Sequence, residues 1–230
     1  MNRKISQQDN FIFLIVALVM LLAGMALAQQ FFAGEMQRLM QSATVVTLLV
    51  AVWGAHDKNY IFRRGLVFPV VIILTSLASY YLESIDKLFL QLFIMLLFFL
   101  ITAKKTATQV LFSGSVTWNN ILGSICLYLL MAMIWGLLYT LMQLFAGSAF
   151  NGIEADLQWY ELLPDLMYFS FVTITTLGFG DISPSTPITQ FLVYMEAIVG
   201  QFYLAILVAS LVGARMTAPH SHREQNNDRS

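Results

Sequence analysis

Six stretches of this chain are apolar for long enough, or nearly so, to cross a lipid bilayer: Phe11–Ala28, Leu39–Ala55, Leu66–Leu82, Leu88–Ala103, Ile121–Phe145 and Thr189–Gly213. A spanning helix takes about 20 predominantly apolar residues, and the fourth stretch is the shortest of the six. Only 11% of the residues are charged and 58% are hydrophobic, with a mean hydropathy of +0.73. A soluble domain carries about 25% charged residues. That much apolar surface cannot be hidden inside a 25.9 kDa globule, so the bilayer is the expected solvent. The net charge of −1 leaves no basic surface for nucleic acid. A single cysteine, Cys126, excludes a disulfide framework and a multi-cysteine metal site. His56, His220 and His222 lie outside the apolar stretches, where none can hold a haem in the membrane. No cofactor is expected.

Lysine and arginine orient the spans, because short cytoplasmic loops collect them. With a cytoplasmic N-terminus, Arg3, Lys4, Lys58, Arg63, Arg64, Lys104, Lys105, Arg215, Arg223 and Arg229 lie inside, against Arg38 and Lys87 outside. This predicts six spans with both termini cytoplasmic. Arg3, Lys4 and Ala26-Leu27-Ala28 also mimic a secretory signal, but the apolar core is longer than the usual 7–15 residues. The chain then divides into four front helices (1–103), a connector (104–118), a third unit (119–215) and a short polar tail (216–230) expected to stay unfolded. No ligand-binding domain is expected after the third unit.

Between the fifth and sixth spans lies a segment too short to span, Pro164–Thr176, which reads as a half-membrane helix with Pro164 in its first turn. It runs into Thr173-Ile-Thr-Thr-Leu-Gly-Phe-Gly-Asp181. Irregular backbone at membrane depth is tolerated only where it lines water or is buried in protein. Gly178 and Gly180 alternate with larger residues, and glycine takes positive φ at little cost. The alternation allows successive carbonyls to face one way, whereas an extended strand sends them to opposite sides. A row of aligned carbonyls can replace the hydration shell of a monovalent cation. The C-terminal end of the half-helix adds about half a negative elementary charge toward the membrane centre.

Thr176-Leu-Gly-Phe-Gly-Asp181 resembles the Thr-Val-Gly-Tyr-Gly-Asp selectivity filter of potassium channels. Pro184, Thr186 and Pro187 follow it as in many bacterial relatives, and Gly200 stands 19 residues after Asp181, where that family places the bendable glycine of its inner helix. The resemblance covers residues 119–215. It implies an all-α membrane fold of six transmembrane helices plus a re-entrant pore helix, with four copies around one pathway. It implies passive potassium conduction, no catalysis, and residence in a bacterial inner membrane. The implied ion-binding residues are Thr176, Leu177, Gly178, Phe179 and Gly180, with Thr175, Asp181, Tyr168 and Phe169 in support. Two other functions stay open: a weakly selective cation channel, and a non-conducting membrane scaffold or sensor.

Several residues carry a structural and a functional reading side by side. Phe179 stands where the family has tyrosine, either as simple packing or as a lost hydroxyl tether. Glu196 is the one acid well inside a span, so it is a functional candidate or a tie between inner and pore helices. Glu154, Asp156, Glu161 and Asp165 precede the pore helix with no lysine or arginine among them. They form a solvated loop, a cation-concentrating ring, or both. Gly200 either bends the inner helix or permits close packing. If it bends, Gly200, Gln201, Leu204 and Val208 line the pathway, with Leu204 and Val208 as an apolar gate. The fourth stretch contains no arginine, so it lacks the charges of a voltage sensor.

Overall fold

A computed structural model describes residues 10–32, 85–111, 118–154 and 157–216. The expected spans Leu39–Ala55 and Leu66–Leu82, Asp156, the polar tail and the three histidines lie outside the described residues. Among the described residues there are five helices: α1 (Asn10–Phe31), α2 (Ile85–Leu111), α3 (Trp118–Ala146), α4 (Trp159–Ile174) and α5 (Pro187–Met216). All but α4 are long and apolar enough to cross a membrane. The protein is therefore an integral membrane protein with four candidate spans among the described residues. Six spans remain an expectation, of which the described residues hold four candidates.

Helix α1 buries Phe11, Leu14, Leu18, Leu21, Met25 and Ala28. Steps of three and four residues set these on one face, which packs on α3 and α4. Its other side exposes Phe13, Val16, Val19, Met20 and Leu27. Exposed apolar surface of that extent on a single helix belongs to lipid or to another chain rather than to water. Helix α2 packs along α3 through Leu92, Met95, Phe99 and Ala103. It runs on to Leu111 rather than stopping at Ala103, so residues 104–111 of the expected connector are helical. No glycine or proline interrupts Ala-Lys-Lys-Thr-Ala-Thr-Gln-Val-Leu, so nothing in this stretch breaks the helix. The three helices meet at Gly123, where an added Cβ would lie 2.5 Å from Val110 Cγ2 and 3.1 Å from Phe11 Cε2.

Helix α4 differs from expectation at its start. It begins at Trp159, and Pro164 is an interior residue. The signal lies upstream: Glu161 Oε2 accepts the backbone N–H of Gln158 at 2.9 Å, closing the first turn. The helix ends at Ile174, with Thr175 as C-cap. Helix α3 reaches it closely at Gly136, where a Cβ would stand 2.7 Å from Met167 Sδ and 3.1 Å from Met167 Cα. Two-residue strands β1 (Phe150–Asn151) and β2 (Ser183–Pro184) pair antiparallel, Phe150 opposite Pro184. They are the small exception to an all-helical fold, and they tie the loop after α3 to the loop after Asp181.

Candidate functional site: the loop after the short helix

The backbone turns sharply at the end of α4. Thr175 donates its N–H to the Phe171 carbonyl at 3.2 Å, and Thr176 donates to Thr173 O at 2.9 Å. Leu177 and Gly178 then both donate to one atom, Val172 O, at 2.9 and 3.3 Å. In a trans peptide the N–H and the preceding C=O point in opposite directions. The carbonyls of Thr176 and Leu177 therefore both face away from Val172, on the same side of the chain. The dihedrals explain how consecutive peptides manage this. Thr176, Gly178 and Gly180 have φ of 59°, 56° and 81°, while Leu177 and Phe179 between them do not take positive φ. Alternation of handedness lets the Leu177 and Gly178 N–H groups turn to one side and the Thr176 and Leu177 carbonyls to the other.

Two of the three positive-φ positions are the expected glycines. The third, Thr176, is a β-branched residue in a conformation that costs about 1–3 kcal/mol. Its strain is held by the hydrogen bonds on either side, and composition gave no sign of it. A Cβ added at Gly178 or Gly180 would meet nothing within 4 Å, so these glycines answer to dihedral angle and not to space.

Aromatic and acidic side chains brace the loop. Tyr168, on α4, donates its hydroxyl to Asp181 Oδ2 at 2.8 Å. Its ring stacks on Phe179 with centroids 6.5 Å apart and planes 11° from parallel. The hydroxyl bond holds the Asp181 carboxyl below the ordinary carboxylate range. Within one chain the brace therefore comes from the pore helix, and Phe179 needs no hydroxyl of its own. Thr175 Oγ1 donates to Phe171 O at 2.6 Å, closing the helix end. Phe169 points elsewhere: it is buried against Tyr139 and Phe150, at 5.5 and 5.4 Å between centroids, so it supports α4 from behind.

The outer loops add parts that the motif did not reveal. Gly152 has φ of 84°, and a Cβ there would fall 2.0 Å from Asp181 O. The Asn151-Gly152 dipeptide is a turn signal, but only the fold shows that it seats against Asp181. Gln143 Oε1 accepts the N–H groups of Ala149 and Phe150 at 2.9 and 3.0 Å. Among the four expected mouth acids, Glu161 serves the α4 cap and Asp165 accepts the Gln29 amide at 2.8 Å. Glu154 is exposed.

Helix α5 passes behind the loop. Gly200 is buried, and a Cβ there would stand 2.5 Å from Ile174 Cγ1 and 2.9 Å from Ile174 O. Close approach to the end of α4 is thus a reason for this glycine that requires no bend. At about 100° per residue, Gln201, Leu204 and Val208 fall within about 60° of one another, on a face beside Gly200 rather than centred on it. Gln201 and Val208 are exposed and Leu204 is half-buried. Glu196 is fully buried and reaches Tyr139 on α3 and Ser170 on α4, two partners with no sequence signal.

Residues 123–216 match the family model described as ion channel. That stretch spans α3, the braced loop and α5, and the match is to a family of transport proteins rather than of enzymes. The chain is also similar to the inward rectifier potassium channel Kirbac3.1 of Paramagnetospirillum magnetotacticum, 42% identical over 55 residues. This alignment covers 24% of the chain and 18% of that relative. No solved structure matches the chain.

Proposed function

We propose that four copies of this chain form a potassium-selective channel that conducts passively across the membrane. The observation that carries the reading is the pair of N–H groups at Leu177 and Gly178 turned onto Val172 O. It leaves the Thr176 and Leu177 carbonyls together on the opposite face. The carbonyls of Thr176, Leu177, Gly178 and Phe179, with the Thr176 hydroxyl, then supply oxygen to a dehydrated potassium ion, as carbonyl rings do in such filters. Gly180 lets the chain leave the filter, and the Tyr168–Asp181 bond holds its outer end. The ion channel match over residues 123–216 and the potassium channel relative support the same reading.

Four copies are supported by what one copy leaves uncovered. Leu177 and Phe179 are 58% and 64% exposed, and α5 exposes Ile188, Phe191, Tyr194, Ile198, Phe202 and Ile206. A filter standing open on one side encloses an ion only when symmetric copies close around it. Leu204 and Val208 then face the pathway beneath the filter as an apolar constriction, with Gln201 above them.

Proteoliposomes carrying purified protein test the proposal. Potassium flux that exceeds sodium flux, and loses that preference in Thr176→Ala, is the expected result. Equal flux of both ions makes the pore a weakly selective cation channel, and no flux makes the protein a scaffold.

A further inference from the structure

Glu196 is the buried group that the ion path does not use. It sits in α5 with none of its surface exposed, and Tyr139 and Ser170 beside it are equally covered. The Tyr139 hydroxyl lies 2.6 Å from Glu196 Oε2. Ser170 Oγ lies 2.5 Å from Glu196 Oε1 and 2.7 Å from the carbonyl oxygen of Ala132. These are three oxygen–oxygen contacts of hydrogen-bond length, and each needs a proton. Tyr139 and Ser170 bring one hydroxyl proton apiece, and a carbonyl brings none. One contact is left without a proton unless the carboxyl supplies it.

A neutral carboxyl satisfies all three contacts. Tyr139 O–H donates to Oε2, the Glu196 carboxyl O–H donates to Ser170 Oγ, and Ser170 O–H donates to Ala132 O. Among the described residues with placed side chains, no cation stands in for the proton: Lys104 and Lys105 are exposed on α2. An ionised carboxylate buried without a cation is costly, and such a group takes up a proton instead.

We propose that Glu196 is held as a neutral acid and that its proton closes a clamp joining α3, α4 and α5. Glu196 is a positioning residue. Ser170 precedes Val172 by two positions, so the clamp fixes the part of α4 whose carbonyl receives the filter amides. The consequence for conduction rests on the channel reading above, while the proton itself does not.

Infrared spectroscopy of the full chain in lipid at neutral pH tests the clamp. The wild type is expected to show a protonated-carboxyl band that Glu196→Gln removes, every other acid being common to both. Ser170→Ala and Tyr139→Phe, which each delete one hydrogen bond to the carboxyl, are expected to shift that band. Glu196→Ala is expected to lower the temperature at which the purified assembly dissociates, and Glu196→Gln to restore it, because an amide can donate to Ser170 and accept from Tyr139. Spectra that do not differ between wild type and Glu196→Gln, or a band that Ser170→Ala leaves in place, overturn the proposal. If the band behaves as expected and wild-type protein passes no ions, the channel reading fails and the clamp stands.

Discussion

The Tyr128 hydroxyl donates to the Ile174 carbonyl at 2.8 Å, the same carbonyl that Gly200 leaves room for on the other side. Helices α3, α4 and α5 meet at this oxygen, two residues before Thr176. Tyr128 also stacks on Tyr203 at 6.0 Å, and Tyr203 donates to Ser124 O at 2.8 Å. Removal of the Tyr128 hydroxyl is expected to cost about 0.5–1.5 kcal/mol per subunit. Tyr128→Phe should therefore lower the thermal stability of the assembly and reduce potassium preference. Unchanged melting and unchanged selectivity would separate Ile174 from the filter.

Substitution at Gly178 tests the backbone alone, since a Cβ there has open space. Alanine at φ 56° costs about 1–2 kcal/mol in each chain, and in the proposed tetramer that cost is met four times. Gly178→Ala should lose selectivity for potassium over sodium in flux assays while the protein still assembles. Retained selectivity would place the ion elsewhere.

The Tyr168–Asp181 bond predicts a pH dependence with a definite sign. The carboxyl is held below its usual range by that hydroxyl, so the folded form favours the carboxylate. The brace contributes fully above the ordinary carboxylate range and is lost as pH falls through the lowered value. Acidifying the outer solution should weaken steady conduction in the wild type. Tyr168→Phe should show the weakened state at neutral pH and little further effect of acid; an acid response as large as the wild type's would remove the brace from the account.

The inner helix offers a test between two uses of Gly200. If close packing dominates, Gly200→Ala forces Ile174 aside and lowers stability, whether the pore is open or closed. If a bend dominates, Gly200→Pro raises resting potassium flux. Cysteine scanning of residues 198–213 maps the lining face, in a Cys126→Ser background because Cys126 Sγ donates to Phe11 O inside the protein. Block concentrated at Gln201, Leu204 and Val208 is expected, and Leu204→Asn or Val208→Asn should raise resting flux by hydrating the constriction.

Helix α2 carries no arginine, and its lysines, Lys87, Lys104 and Lys105, lie outside its apolar run Leu88–Ala103. Each charge moved across the membrane gains about 2.3 kcal/mol per 100 mV, so an apolar run with no charge inside it cannot open a pore steeply. Current in reconstituted bilayers should vary weakly with voltage. A curve equivalent to several gating charges would require moving charges in another part of the chain.

Long apolar runs and the Thr-Leu-Gly-Phe-Gly-Asp stretch were enough, as sequence, to predict membrane helices, a half-helix between two spans, and the positions of Gly178 and Gly180. Those features depend on composition along one segment: bilayer thickness sets helix length, and a missing Cβ permits positive φ. Helix ends were less legible, because a cap sets the start at Trp159 and the lack of a breaker carries α2 past Ala103, neither of which depends on apolar content. Only the tertiary structure decided which atoms meet across segments. It placed Thr176 in positive φ, seated Gly152 on Asp181, packed Phe169 against Tyr139 and Phe150, and gave Glu196 its partners Tyr139 and Ser170. Those contacts join residues tens of positions apart, and no local pattern encodes them. They follow from how three helices pack, because each buried polar atom must find its partner wherever that packing brings one within reach.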